Sequence, residues 1–252
     1  MKRIIRILAV VFLLSPAFLH AGPEEFYQNG LTEYTAGDYT GAIESWLQVS
    51  ESGFESPELY YNLGNAYYKT GNIPSTILYF EKARKLAPND EEILFNLKIA
   101  NLKVIDKTEE LPLLLIEKWW ENTVSLFHAD NWAIFSILLL LFVFIFLALR
   151  RFSVRKGFRY FYASLSVVFI FLTLLCFVFS ETQRDRLLNE YEAVVFTPMV
   201  SVKSSPDEKG MDIFIIHEGT KVEITDHIED WCEIRLQNGS VGWLKASDIQ
   251  AI

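Results

Sequence analysis

Two apolar runs without a single charge, Trp132 to Leu149 and Phe161 to Ser180, stand on either side of the basic segment Arg150 to Arg159. As helices they would be roughly 27 and 30 Å long, which is the thickness of a bilayer's hydrocarbon core. The segment between them carries five cations, Arg150, Arg151, Arg155, Lys156 and Arg159, and the positive-inside rule predicts that it stays cytoplasmic. Both remaining parts of the chain then lie on the far side of the membrane. Composition agrees, because an apolar share of 51% beside only 22% charged residues is high for a wholly soluble chain. The flanks are acidic, with formal charges of −10 over residues 22–131 and −7 over 181–252. A surface of that sign excludes a nucleic-acid partner, since neutralising phosphates takes a basic face.

The chain begins with Lys2, Arg3 and Arg6 before the apolar stretch Ile7 to Leu14, followed by Pro16 and the small residue Ala21. This is the pattern of a signal peptide over residues 1–21, cleaved after Ala21, with cleavage after Ala17 or an uncleaved anchor as alternatives. The two cysteines, Cys176 inside the second apolar run and Cys232 near the end of the chain, form no disulfide framework.

Within a helical region expected over 23–110, residues 23–90 contain an internal repeat of period 34, in which Gly30, Gly37, Ala42 and Trp46 align with Gly64, Gly71, Thr76 and Phe80. Ser56 before Pro57 is a helix start, and Gly71-Asn72 with Pro74 punctuates a turn between helices. Asn89 ahead of Asp90, Glu91 and Glu92 begins a further helix whose Ile93, Leu94, Leu97 and Ile99 predict a cap for the short stack. The second copy, with Tyr60, Leu63, Gly64, Tyr67, Phe80, Ala83 and Pro88, resembles the tetratricopeptide repeat, and the first does so more loosely through Phe26, Gly30, Ala42 and Trp46. The resemblance implies that the first helix of each repeat lines a concave, protein-binding groove. Tyr61, Asn65 and Tyr68 then share that face at helical spacing, with Tyr27 in the equivalent place of the first copy. The competing reading is that these tyrosines cover the cap helix. The basic residues of a carboxylate clamp are missing at Tyr27 and Tyr61.

Residues 111–131 place Leu113, Ile116, Trp120, Val124 and Phe127 at steps of three or four with Trp119 alongside, which reads as an amphipathic helix lying in the lipid interface. A helix packed on the repeats is the alternative. Within the transmembrane helices expected at 132–149 and 161–180, joined by the loop 150–160, no Asp, Glu, Lys, Arg or His occurs, so a transport or channel role is not indicated.

From residue 189 to 252 the pattern changes to alternation broken by turn residues, as in a small all-β domain. Strands are expected at 192–197, 200–203, 212–216, 221–228, 231–237 and 241–244, with Asn238-Gly239 as a tight two-residue hairpin turn. Val200 to Pro206, Glu218-Gly219-Thr220-Lys221-Val222, Asp230-Trp231 and Asn238 to Leu244 together resemble the bacterial SH3-like domain. The resemblance implies peptide or cell-wall (peptidoglycan) binding at loop-side aromatics. By alternation Cys232, Ile234 and Leu236 belong to the core, leaving Trp231 outward as the first candidate for the ligand surface and Trp243 as the second.

No phosphate loop, carboxylate pair or activated nucleophile is visible, so the expectation is a non-enzymatic protein without cofactor or metal. The fold class expected is a multidomain membrane protein made of tetratricopeptide helices, two transmembrane helices and a small SH3-like barrel. The order of these parts resembles the BatE-type family of aerotolerance operon proteins. This implies membrane or periplasmic protein partners, among them von Willebrand-type domain proteins of the same operon, a bacterial inner-membrane location and a part in stress tolerance. A peptidoglycan-binding sensor is the alternative.

Overall fold

The computed structural model describes residues 22–107, 115–188 and 192–252. The expected signal peptide, residues 111–114 of the expected interfacial helix and the first three residues of the expected barrel segment lie outside them. The chain divides into two compact units at Glu55 and Ser56.

The first unit is a helical hairpin, α1 (Pro23–Ala36) and α2 (Tyr39–Glu51). Gly37 ends α1 at φ 84° and hands the chain to Asp38, whose carboxylate accepts the Gly41 N–H at 3.0 Å and so caps α2. Gly30 has no side chain because Trp46 lies flush against its backbone. The indole is buried and donates from Nε1 to the Tyr27 carbonyl at 3.2 Å.

The second unit opens with another such hairpin, α3 (Pro57–Thr70) and α4 (Ile73–Leu86), followed by α5 (Glu91–Asn101). Ser56 accepts the Leu59 N–H at 3.1 Å, Gly71 stands at φ 82°, and Asn72 accepts the Ser75 N–H at 3.1 Å. Gly64 lies under Phe80 as Gly30 lies under Trp46, which makes the 34-residue period visible in packing. Asp90, rather than Asn89, caps α5, accepting from the N–H groups of Glu92 and Ile93.

A ten-residue helix, α6 (Leu115–Val124), leads to two long apolar helices, α7 (Ala129–Phe152) and α8 (Lys156–Leu188). Both are long and apolar enough to cross a membrane. They pack side by side, with the Ser180 hydroxyl donating to the Ala129 carbonyl at 2.9 Å and Phe142, Phe146 and Phe169 clustered between them. Only Ser153, Val154 and Arg155 separate the helices, so the cations expected in a loop stand mostly on helix ends. α6 packs against this pair: Trp120 meets Phe179 edge-on at 5.1 Å, and buried Trp132 donates to the Val124 carbonyl at 3.0 Å.

The C-terminal part is an antiparallel sheet of seven strands, β1 (Glu192–Val195), β2 (Met199–Lys203), β3 (Asp212–His217), β4 (Lys221–Ile228), β5 (Trp231–Arg235), β6 (Val241–Lys245) and β7 (Ile249–Ala251), in the order β3-β2-β6-β5-β4-β1-β7. Its core contains Val195, Val202, Ile216, Val222, Cys232, Ile234 and Leu244, so alternation on β5 places its residues on the expected faces. The two-residue connection that the expected strands 221–228 and 231–237 leave between them is Glu229-Asp230, between paired Ile228 and Trp231, with Glu229 at φ 50°. The other turn differs from expectation. At the expected hairpin only Gly239 has a positive φ, and Gly239 N–H donates to the Leu236 carbonyl, which makes a longer loop ending in a left-handed glycine.

Candidate binding surfaces

The repeat groove was expected on Tyr27, Tyr61, Asn65 and Tyr68. In the first unit the Tyr27 carbonyl anchors Trp46. In the second, a single residue of α5 engages two of the expected positions: Asn96 Nδ2 donates to the Tyr61 hydroxyl at 2.9 Å and to the Asn65 side-chain carbonyl at 3.1 Å. Tyr68 lies under the Lys103 ammonium at 4.6 Å from the ring centroid. Of the side chains read from sequence as a groove, Tyr61 and Asn65 meet α5 and Tyr68 meets the turn just after it, and all three remain half-buried.

On the barrel, Trp231 borders a depression of about 200 Å³ with Met199, Lys203, Glu208, Leu244, Lys245 and Asp248. Two cations sit on its rim, each already paired: Lys245 with Glu208, and Lys203 with Asp212 at 3.1 Å. The Lys245 ammonium also stands 5.9 Å from the Trp231 ring, holding the indole at the edge of the hollow. Trp243 is half-buried on the same sheet, opposite Glu233 and Lys203, and does not line the depression. A shallow, aromatic-edged, mixed-charge hollow suits an extended polar chain better than a compact cofactor. Among the described residues no group of three His, Cys, Asp or Glu side chains is placed to hold a metal.

The structure adds a contact that sequence reasoning missed. The second repeat and the barrel share one apolar cluster, in which Ile77, Leu78 and Phe80 of α4, Leu97 and Ala100 of α5, and Val104 meet Val194 and Ile252. Gly219, at φ 82°, brings the β3–β4 turn against Val104 and Ile73. Two carboxylates lock this contact. Glu81, 4% exposed, receives Arg84 at 2.7 Å and Lys221 at 3.1 Å, and Lys221 also reaches Glu192 at 2.7 Å. Asp106 accepts the His217 backbone N–H at 2.6 Å and the Thr220 hydroxyl at 2.7 Å, with His217 Nδ1 at 3.0 Å. Burial raises the Glu81 carboxyl, but the Lys221 and Arg84 cations outweigh it and hold the group below the usual carboxylate range. Burial acts likewise on Asp106, and the hydrogen bonds from His217 and Thr220 bring it down. No local motif marks Asp106 or Glu81 as holding this contact, because the barrel residues they bind, His217, Thr220 and Lys221, are more than a hundred residues away.

A cleft of about 570 Å³ runs between the end of α4, α6 and the barrel, lined by Lys85, Asn89, Glu121, Ser125, Glu223 and Arg235 among others. Its charges neutralise one another, as Arg235 with Glu223 at 3.3 Å and Arg84 with Glu192 at 3.7 Å.

Comparison with known families agrees with this architecture. Residues 30–71 match the TPR repeat, residues 57–90 the tetratricopeptide repeat and residues 200–250 the bacterial SH3 domain. The chain therefore combines TPR repeats with a bacterial SH3 domain. A comparison with curated proteins finds no match.

Proposed function

We propose that this protein is a non-enzymatic, membrane-anchored scaffold whose repeats and barrel hold protein partners on the outer side of a bacterial inner membrane. α7 and α8 cross the bilayer, the cations at their shared end stay in the cytoplasm, and both folded parts lie in the periplasm. The observation that carries the reading is the fusion of the second repeat to the barrel through one apolar cluster, the buried Glu81 carboxylate and the half-buried Asp106 carboxylate, which sets two binding modules in fixed relation on one anchor. Holding partners in one plane raises their effective concentration for each other without any new contact. TPR domains generally mediate protein–protein interactions, which supports the partner class. The order of domains supports membership of an aerotolerance or envelope-stress complex, with von Willebrand-type domain proteins as partners.

The test is crosslinking of the full chain in its native membranes followed by mass spectrometry, comparing wild type with Trp231→Ala and Tyr61→Ala. Loss of a defined set of membrane or periplasmic partners in Trp231→Ala supports the scaffold. Retention of the full chain on isolated peptidoglycan, with no protein partner in either experiment, transfers the reading to a cell-wall sensor.

A further inference from the structure

The 34-residue period continues past the second repeat into α5. Adding 34 to Tyr61, Asn65 and Tyr68 gives Phe95, Ile99 and Leu102. Tyr61 and Asn65 meet α5 through Asn96, and Tyr68 meets Lys103 just beyond it. Among the described residues their counterparts are left largely uncovered: Phe95 is 64% exposed and Leu102, just past α5, 65%, with Ile99 half-buried between them, and Leu94 at 41% and Ile105 at 65% extend the stripe. A stack is normally ended by a helix with a polar outer face. This one ends in an apolar stripe at the positions where the repeat would place its next helix.

We propose that a second copy of this chain covers the stripe, α5 against α5, in an antiparallel pair with two-fold symmetry. Three observations favour a second copy over an unrelated helix. The stripe is apolar along its length, so it is complementary to itself, as a two-fold interface requires. Its ends carry opposite charge, with Glu91 and Glu92 in the first turn, and Lys103 and Lys107 beyond the last. Lys107 is held there by the carbonyls of Asn101 and Leu102 at 3.4 and 2.9 Å. An antiparallel pair that sets Phe95 against Leu102 of the copy brings each acidic end to the other's basic end. Finally, the two-fold arrangement closes, whereas continuing the stack head to tail would not. Lys98 then stands beside the axis, where its long stem lies over apolar surface with the ammonium in water. A helix about 16 Å long buries less than a standard interface, so the dimer is weak in dilute solution and gains from confinement to a membrane plane. Confinement is the only step that rests on the proposed membrane anchoring.

The experiment uses the full chain in native membranes, with Cys176→Ala and Cys232→Ala as background. Lys98→Cys under mild oxidation is expected to give a disulfide-linked dimer about tenfold faster than Glu44→Cys, an exposed position on α2. Adding Phe95→Glu is expected to lower that rate about tenfold, a loss of about 1.4 kcal/mol of association, with an unchanged melting temperature because Phe95 is exposed in the single chain. Equal rates at positions 98 and 44, no effect of Phe95→Glu, or a crosslinked product whose mass shows a different protein would each overturn the dimer. None of these outcomes bears on partner capture at Trp231, so failure here is distinguishable from failure of the scaffold reading.

Discussion

Removing the Lys221 ammonium while keeping its bulk, as in Lys221→Met, tests how the barrel is held on the second repeat. The Glu81 side chain is 5% exposed, and Lys221 approaches it at 3.1 Å. At an effective dielectric of about 20, that pair is worth about 5 kcal/mol of attraction. Arg84 remains at 2.7 Å and recovers part of the loss, so the expected destabilisation is about 3 kcal/mol, at the low end for breaking a buried pair. For a unit of this size it corresponds to a fall of about 6–12 °C in melting temperature. Glu81→Met should cost less, about 1 kcal/mol, because Lys221 keeps Glu192 at 2.7 Å and no carboxylate is left in the apolar cluster. The assay is thermal unfolding of the full chain in detergent micelles, followed by tryptophan fluorescence, with the double variant closing the cycle. A Lys221→Met midpoint within 1 °C of wild type, or Glu81→Met costing more than Lys221→Met, would refute the argument that an unneutralised buried carboxylate dominates this contact.

Acid should reproduce part of the effect. The Glu81 and Asp106 carboxyls are depressed in the folded state, so their contribution is complete above the ordinary carboxylate range and disappears as pH falls through the lower folded values. Midpoints measured from pH 7 to 3 should hold steady and then drop below about pH 4, less steeply in Asp106→Asn. Asp106→Ala should lose about 2 kcal/mol at neutral pH, because the His217 N–H and the Thr220 hydroxyl lose their acceptor, read as a lower midpoint in the same assay. Gly64→Val should cost about 2–3 kcal/mol through collision with Phe80, and adding Phe80→Leu should not restore it fully. Glu229→Gly should stabilise the barrel by up to about 1 kcal/mol by relieving a side chain from φ 50° in the β4–β5 turn, measured by urea unfolding.

What was legible in the sequence was whatever is encoded within a few residues. Ser56-Pro57 and Gly71-Asn72-Pro74 set the second hairpin because caps and left-handed glycines act locally, and uninterrupted apolarity marked α7 and α8 by itself. The alternation of β5 likewise placed Cys232 and Ile234 in the core and Trp231 at the rim. Asn238-Gly239 is the dipeptide of a tight two-residue turn, yet the backbone bonds between Leu236 and Ser240 and from Gly239 to Leu236 close a longer loop in which only Gly239 is left-handed. Three-residue β7 was missed, since so short a segment has no period to detect. Tyr61 and Asn65 have the right face and the right chemistry for a groove, but no signal within α3 says that Asn96 will engage them. The Glu81 and Asp106 contacts join distant parts of the chain, and a lone acid in a helix or a turn looks like any solvated one.

A fragment stopping short of Glu192 would strip the cover from Ile77 and Leu78 and leave Glu81 without Lys221, while an isolated barrel would bare Val194 and Ile252. Although a linear map draws them as separate beads, the last repeat and the barrel are halves of one folding body. Cutting between them therefore yields two sticky remnants, and a pull on either is felt by both.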